Sequence, residues 1–596
     1  MAEMAARIAY LEGALVKVGC AAEAHGRSPQ TPLSVPVHGS PSEGALTATP
    51  YHLEGRRDTR GGEGVLVQKG SSSQYFNEIL FSKVIEEQRD IETALTPHSF
   101  VSSLYNPSGI PSTPSHKNLP YTFHPSRQLS LRLWSLYLEN VESCPGLKVL
   151  HVPTDEVRVY STIDQPSEAS AEDLSLCFAA YYAALVSLSD KDAELLMGQE
   201  KHTSVIHIKA GMEQALAHAD FLNNPTLTGL QALAIYLSAL RIHNRGKGVC
   251  ILNGLAMCIA QSLGLQHDGE RLGLSPFQSE VRRRLWWYLL GRDGRTGEDY
   301  GLQNTVTTQM YDTTPPLNVE DDALYPEMEK LPASRKTWTS MTSSLINVDL
   351  FKSLHRLISV ATAASPSSPP REEVRAQVIT EAKASIEGWL QYCNPAISRQ
   401  RLTMHMSRFM LRKMDLISRQ QWQLLRCPGS REAFATEENL VEALETLDLG
   451  LTPAKDEMMK PFVWLCRAYP QYHLALYILW HLCVKPEGPS IERAWEAVDG
   501  IYLGELTNGL FGGVGPKAMV LRILKTKATA LREQIQRKKA AAMVQSSSEN
   551  SAVPAMTAMP PDRANWEFLM TQVNIGDDIF HLNINGIEYP VWNTVV

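Results

Sequence analysis

The run from Glu280 to Leu324 constrains the fold more than any other part of this chain. Arg282, Arg283 and Arg284 precede Leu285, Trp286, Trp287, Tyr288, Leu289 and Leu290. The apolar positions recur at helical spacing, which predicts a buried helix entered through a cationic turn. Arg292, Asp293, Arg295, Glu298 and Asp299 follow, at three- and four-residue offsets suited to ion pairs along a helix. DNA grip needs a wider basic face than three arginines. The triplet therefore reads as a solvated helix entry pairing with acids such as Glu280. The Trp286-Trp287 pair reads as core before it reads as a ligand cage.

The rest of the chain supplies helices for that one to pack against. Its 596 residues are 44% hydrophobic, enough for a substantial core. A net charge of −8 argues against a dominating polyanion-binding surface. The nine cysteines contain no CxxC pair, and several fall inside apolar helical patterns, so they read as reduced, buried thiols. Glu3 and Glu12 interrupt the first apolar positions, which excludes a signal peptide reading there. The longest apolar run, Leu474 to Val484, contains His481 and is too short to span a bilayer. No membrane partner is expected.

Residues 1–18 place Met4, Ile8, Leu11, Leu15 and Val18 in alternating three- and four-residue steps, the seam of a short coiled coil. Residues 19–70, rich in Pro, Ser, Gly and Thr, read as a disordered linker. Residues 71–530 read as a large helical body. Leu129 to Val141, Asp173 to Leu188, His207 to Leu222, Leu227 to Arg241 and Lys247 to Leu263 are expected helices, the last closed by Gly264. Leu147 to Thr154 reads as a short extended exit stopped by Pro153. Lys517 to Lys539 is a basic helix, 540–563 a second linker, and 564–596 a tail mixing acids with bulky apolar residues. The fold class is all-α, with disordered N-terminal and C-terminal linkers.

The segment RRRLWWYLLGRDGRTGEDYG, followed by PLNVEDDAL, resembles the centre of the fungal-specific transcription factor domain. This is the middle homology region of the zinc binuclear cluster regulators. LQALAIYLSALR, LAMCIAQSLGLQHDG, SRFMLRKMDLISRQ and WLCRAYPQYHLALYILWHLC extend the resemblance over roughly residues 65–501. It implies a nuclear, non-enzymatic regulator of transcription, with control of a secondary-metabolite gene cluster as the default. RIAYLEGALVKV resembles the family's dimerisation helix, which implies a homodimer or a heterodimer with another family member. The family holds two zinc ions through six closely spaced cysteines, whereas here Cys20 has no neighbour until Cys144. No cofactor is therefore visible. Zinc would enter only through an upstream six-cysteine cluster missing from this chain, and without one DNA would be reached indirectly, through a partner. Arg283, Trp286, Asp293, Arg295 and Glu298 are the regulatory candidates that the resemblance implies.

Other chemistry was weighed. Glu320-Asp321-Asp322 invites the magnesium reading of an all-α terpene cyclase, but Tyr325 stands where a DDxxD spacing needs a carboxylate. Acids capping a helix start after Pro316 explain the run better. GLFGGVGPK lacks the Gly-Lys-Ser/Thr ending of a phosphate loop. No GxSxG or HExxH occurs. In the tail, Trp566, Phe568, Asp577, Asp578 and Phe580 suit an activation segment that folds onto the transcription machinery, or an arm docked on the body. The N-terminal seam is directly testable: Leu11→Pro should convert a dimer into a monomer in sedimentation analysis.

Overall fold

The computed structural model describes residues 65–69, 72–76, 84, 114–115, 117–244, 247–300, 311–362, 371–426, 434–466, 468, 471–506 and 516–549. Helices dominate the described residues, as expected of an all-α chain. They are α1 (Arg127–Tyr137), α2 (Val152–Asp164), α3 (Ala171–Ser187), α4 (Asp190–Met197), α5 (Lys201–His218), α6 (Leu227–His243), α7 (Lys247–Ser262) and α8 (Pro276–Tyr300). After an extended passage come α9 (Thr342–Thr362), α10 (Glu372–Leu390), α11 (Ser398–Arg426), α12 (Glu437–Lys455), α13 (Val463–Cys466), α14 (Tyr472–Val484), α15 (Ile491–Leu506) and α16 (Pro516–Glu549). The candidate dimerisation residues Met4, Ile8, Leu11, Leu15 and Val18 lie outside the described residues. So do the tail candidates Trp566, Phe568, Asp577, Asp578 and Phe580.

Helix α3 sits at the centre of the first core because it is apolar on all sides, with Leu174 to Val186 buried throughout. It packs on α5 and α6, and its small alanines let those helices approach closely. Its start is capped reciprocally: the Asp173 amide donates to Ser170 Oγ (3.1 Å) and that hydroxyl donates to Asp173 Oδ2 (2.8 Å). Helix α7 ends at Gly264, whose φ of 75° suits a residue without Cβ. Leu265 N donates to the Ala260 carbonyl and Gly264 N to that of Gln261, which closes the last turn. A second core gathers α11, α12, α14, α15 and α16, with Trp480 and Tyr477 buried at its middle. A third, around Ile386 and Trp422, joins α9, α10 and α11.

Several local expectations are corrected. Pro153 does not stop a strand; it stands in the first turn of α2, where a missing N–H costs nothing. The end of the expected linker pairs as a hairpin, Val65–Lys69 against Ser72–Phe76, with Val65 opposite Phe76. Val-Leu-Val and Tyr-Phe flanking a Gly-containing turn favour that pairing over a random coil. Helix α16 continues to Glu549, ten residues into the stretch read as linker, because Ala540 to Ala542 are strong helix formers. Cys258 is exposed rather than buried, since it faces away from α6 and α8.

Gly211 marks the tightest approach in the first core. A Cβ there would lie 2.7 and 2.8 Å from ring atoms of Phe178 and 2.9 Å from Phe123 Cβ. Gly211→Ala should therefore destabilise the protein by about 1–3 kcal/mol, read as a lower urea midpoint, and Gly211→Ala/Phe178→Leu should recover part of that loss.

Candidate functional site, a buried chain of charges

Three cationic side chains and four carboxylates meet where α8 begins, beneath the extended passage that follows it. Two features of the local fold bring them together. Helix α1 loosens at its end into a single π turn, Leu138–Glu142, which turns Glu142 inward. The chain then runs without regular structure from Leu147 to His151, so Lys148 enters the core from a loop.

Asp321 is the shared acceptor. Its Oδ1 accepts from Arg284 Nη1 at 2.6 Å, and its Oδ2 accepts from Lys148 Nζ at 2.7 Å and from the Val152 amide at 3.2 Å. Lys148 also donates to Glu142 Oε1 (3.4 Å), which takes the Leu150 amide as well (3.2 Å), while Tyr137 donates to Glu142 Oε2 (2.8 Å). On the other side, Arg284 Nε donates to Glu280 Oε1 at 3.3 Å, and the same oxygen accepts the Leu317 amide at 3.0 Å. Arg283 lies 3.9 Å from Glu280 and grips Asp268 with two nitrogens, at 2.9 and 2.7 Å. Asp268 also accepts from the Thr314 amide and hydroxyl at 3.0 and 2.7 Å. The chain of contacts is continuous from Tyr137 to Thr314.

Burial makes these contacts consequential. The side chains of Arg284 and Glu280 are both 0% exposed, and those of Lys148 and Glu142 are 5% and 4% exposed. An ion in such surroundings loses its hydration and must recover it from partners. For Asp321 burial works against ionisation, but Lys148 and Arg284 beside it prevail and hold its carboxyl at about 2. Burial likewise resists ionisation of Asp268, yet the hydrogen bonds from Arg283 and Thr314 pull it well below the usual carboxylate range. Glu142 and Glu280 go the other way: burial pushes both up, and the opposing pull of Lys148 or Arg284 is too weak to reverse it. With four acids against three cations, one carboxylate is always in surplus.

His151 ties the loop to the same place. Its Nε2 lies 3.0 Å from the Asp321 carbonyl, and burial lowers its pKa, so the neutral ring donates there. Asn318, wholly buried, secures the following turn. Its Nδ2 donates to the Arg335 and Thr337 carbonyls, and its Oδ1 accepts from the Thr339 and Thr342 hydroxyls. All four of its side-chain hydrogen bonds are made.

The expectations drawn from sequence fare unevenly here. Arg283 is a buried partner of Asp268, and Arg284 is buried deeper still; neither is part of a solvated helix entry. The pairing with Glu280 holds, but it occurs inside the core. Arg282 alone is half-buried, reaching back to the Leu263 carbonyl that ends α7. Trp286 is fully buried and meets Tyr311 edge-on at 5.7 Å, and Trp287 donates to the Thr314 carbonyl at 2.9 Å. Asp293 is buried farther along α8, whereas the side chains of Arg295 and Glu298 lie outside the described residues. The acidic run does not cap a helix of its own: Glu320 makes no side-chain cap. Asp321 instead caps the start of α2 across the fold. Lys148, Glu142 and Asp268 were not singled out by sequence, although a lone lysine inside LKVLHV was a usable signal.

No group of His, Cys, Asp or Glu that could hold a metal occurs among the described residues. A cavity lined by Val141, Leu147, Ser238, Tyr288 and Trp464 has about 10 Å³ of room, enough for one water. None of the described helices is long and apolar enough to cross a membrane.

Comparison with known proteins identifies this region. The model of the fungal specific transcription factor domain matches residues 134–391, which include every member of the charge chain. Over 498 residues the chain is 26% identical to the pyriculol/pyriculariol biosynthesis cluster transcription factor 1 of Pyricularia oryzae, covering 79% of this chain and 65% of that protein. The aurofusarin cluster transcription factor aurR2 of Gibberella zeae is 25% identical, covering 64% and 57%. The transcriptional regulator AacuB of Aspergillus aculeatus is 27% identical, covering 64% and 52%. The chain thus spans between about half and two thirds of the length of these curated relatives.

Two outcomes follow from the geometry. Arg284→Met should cost about 3–5 kcal/mol, because Glu280 is left buried without its cation. Adding Glu280→Leu should return part of that in urea titrations, since Asp321 keeps Lys148. Asp155, which accepts the His151 amide at 3.0 Å, is pushed up to about 6 by burial, with Arg158 opposing and Glu142 and Asp321 assisting. A raised carboxyl favours the fold when protonated, so its contribution is fully present below the model value of 3.8 and is lost as pH rises towards 6. Asp155→Asn should flatten the stability profile over that window. From the matched segment and the relatives that share it, the chain carries a fungal specific transcription factor domain.

Proposed function

We propose that this protein is a fungal transcription regulator that controls a pathway gene cluster, with secondary metabolism as the pathway class. The observation that carries this reading is the domain match over 134–391, together with relatives whose names tie them to biosynthetic clusters. The helical body is its regulatory part. Arg283, Trp286 and Asp293 act there through the buried framework of α8, and Arg295 and Glu298 extend the same helix. The N-terminal seam pairs two subunits, and the tail from Trp566 recruits the transcription machinery. The site of action is the nucleus. DNA is reached through a six-cysteine zinc module ahead of Met1 or through a family partner.

The enzyme alternative finds little support in the acidic run. Asp321 is engaged by Arg284, Lys148 and the Val152 amide, so its oxygens are already occupied. Deleting the gene and profiling transcripts tests the proposal: a contiguous set of genes should fall together by about tenfold, an effect of about 1.4 kcal/mol in promoter occupancy terms. Unchanged transcripts, together with magnesium-dependent turnover of a prenyl diphosphate that Asp321→Ala abolishes, would establish the enzyme instead.

A further inference from the structure

Helix α7 presents a face that the fold does not use. It packs on α6 and α8, and the side turned away from them carries Ile251, Gly254, Leu255, Cys258 and Ser262. Ile251 is 62% exposed, Leu255 is half-buried, and a Cβ added at Gly254 would meet nothing within 4 Å. From Val249 to Ser262 the helix contains no charged residue. A helix apolar on all sides belongs in a core, so one at a surface points to a missing partner.

We propose that this face pairs with the same face of a second copy of the chain. The occupant follows from charge and area. Without charges, the face neither selects a charged partner nor repels its own copy across a two-fold axis. Sixteen residues make a helix about 24 Å long and about 10 Å wide, a footprint on the order of 250 Å². A stable interface needs about 800 Å² per partner. The face therefore cannot hold two chains alone; it needs a tether that keeps them at high effective concentration. The inference rests on the proposed pairing of the N-terminal seam, which supplies that tether.

Cys258 lies near the middle of the face and is exposed, so it reports on the pairing. Full-length protein treated with a short bismaleimide should give a cross-linked dimer that is lost in Cys258→Ser. Ile251→Lys should reduce that dimer at least tenfold while sedimentation still shows two chains. A dimer by sedimentation that gives no Cys258-dependent cross-link, or one insensitive to Ile251→Lys, overturns the α7 pairing and leaves the N-terminal reading intact. A chain monomeric in sedimentation overturns both. A Leu11→Pro chain that remains dimeric and cross-linked overturns the tether and leaves α7 as the interface.

Discussion

The carboxylate of Asp321 holds one side of this domain together. It joins three parts of the chain that are distant in sequence: Arg284 on α8, Lys148 in the loop after α1, and the first amide of α2. Each partner would be costly to bury alone. An isolated buried cation or carboxylate loses several kcal/mol of hydration, and an orphan helix-start amide adds the cost of an unmade hydrogen bond. Because the same two oxygens serve all three, none can leave without exposing the others. Such a cluster is weak evidence for net stability, since apolar replacements are often as good. Its consequence is registry: only one placement of the 311–324 passage satisfies Arg283, Arg284 and Lys148 together.

The apolar cores and the charge chain divide the work. Around α3, burial of alanines, tyrosines and leucines supplies a driving force without direction. The passage from Tyr311 to Leu324 has few such residues and no regular secondary structure before Asp321. Its backbone amides therefore need named acceptors, which Asp268 and Glu280 provide for Thr314 and Leu317. A regulatory domain needs a segment that can have two arrangements, and a stretch held by polar contacts suits that better than one held by bulk.

Much of the helical plan was legible in the sequence. The helices α3, α6, α7 and α8 stand where periodicity put them, and the Gly264 stop follows from its backbone conformation. Periodicity fails for short or Pro-led elements. Helix α4 has only eight residues, and α2 begins with a proline that reads equally well as a break. The charge chain was half legible. Arg282 to Arg284, Glu280 and the acidic run all drew notice, yet their burial did not, because a cationic triplet ordinarily faces water. Partnership between Asp321 and Lys148, separated by 173 residues, is a tertiary fact that no local pattern encodes.

Native-state hydrogen exchange tests most directly whether the charge chain holds the 311–324 passage. In the wild-type protein the amides of Val152, Thr314 and Leu317 should exchange in step with the interior of α8, through opening of the domain. In Arg284→Met they should exchange faster than α8, through local release, with Leu317 and Val152 released first. Rapid exchange of these amides in the wild-type protein, or no change in the variant, would contradict the account and leave the apolar cores as the only restraint on this passage.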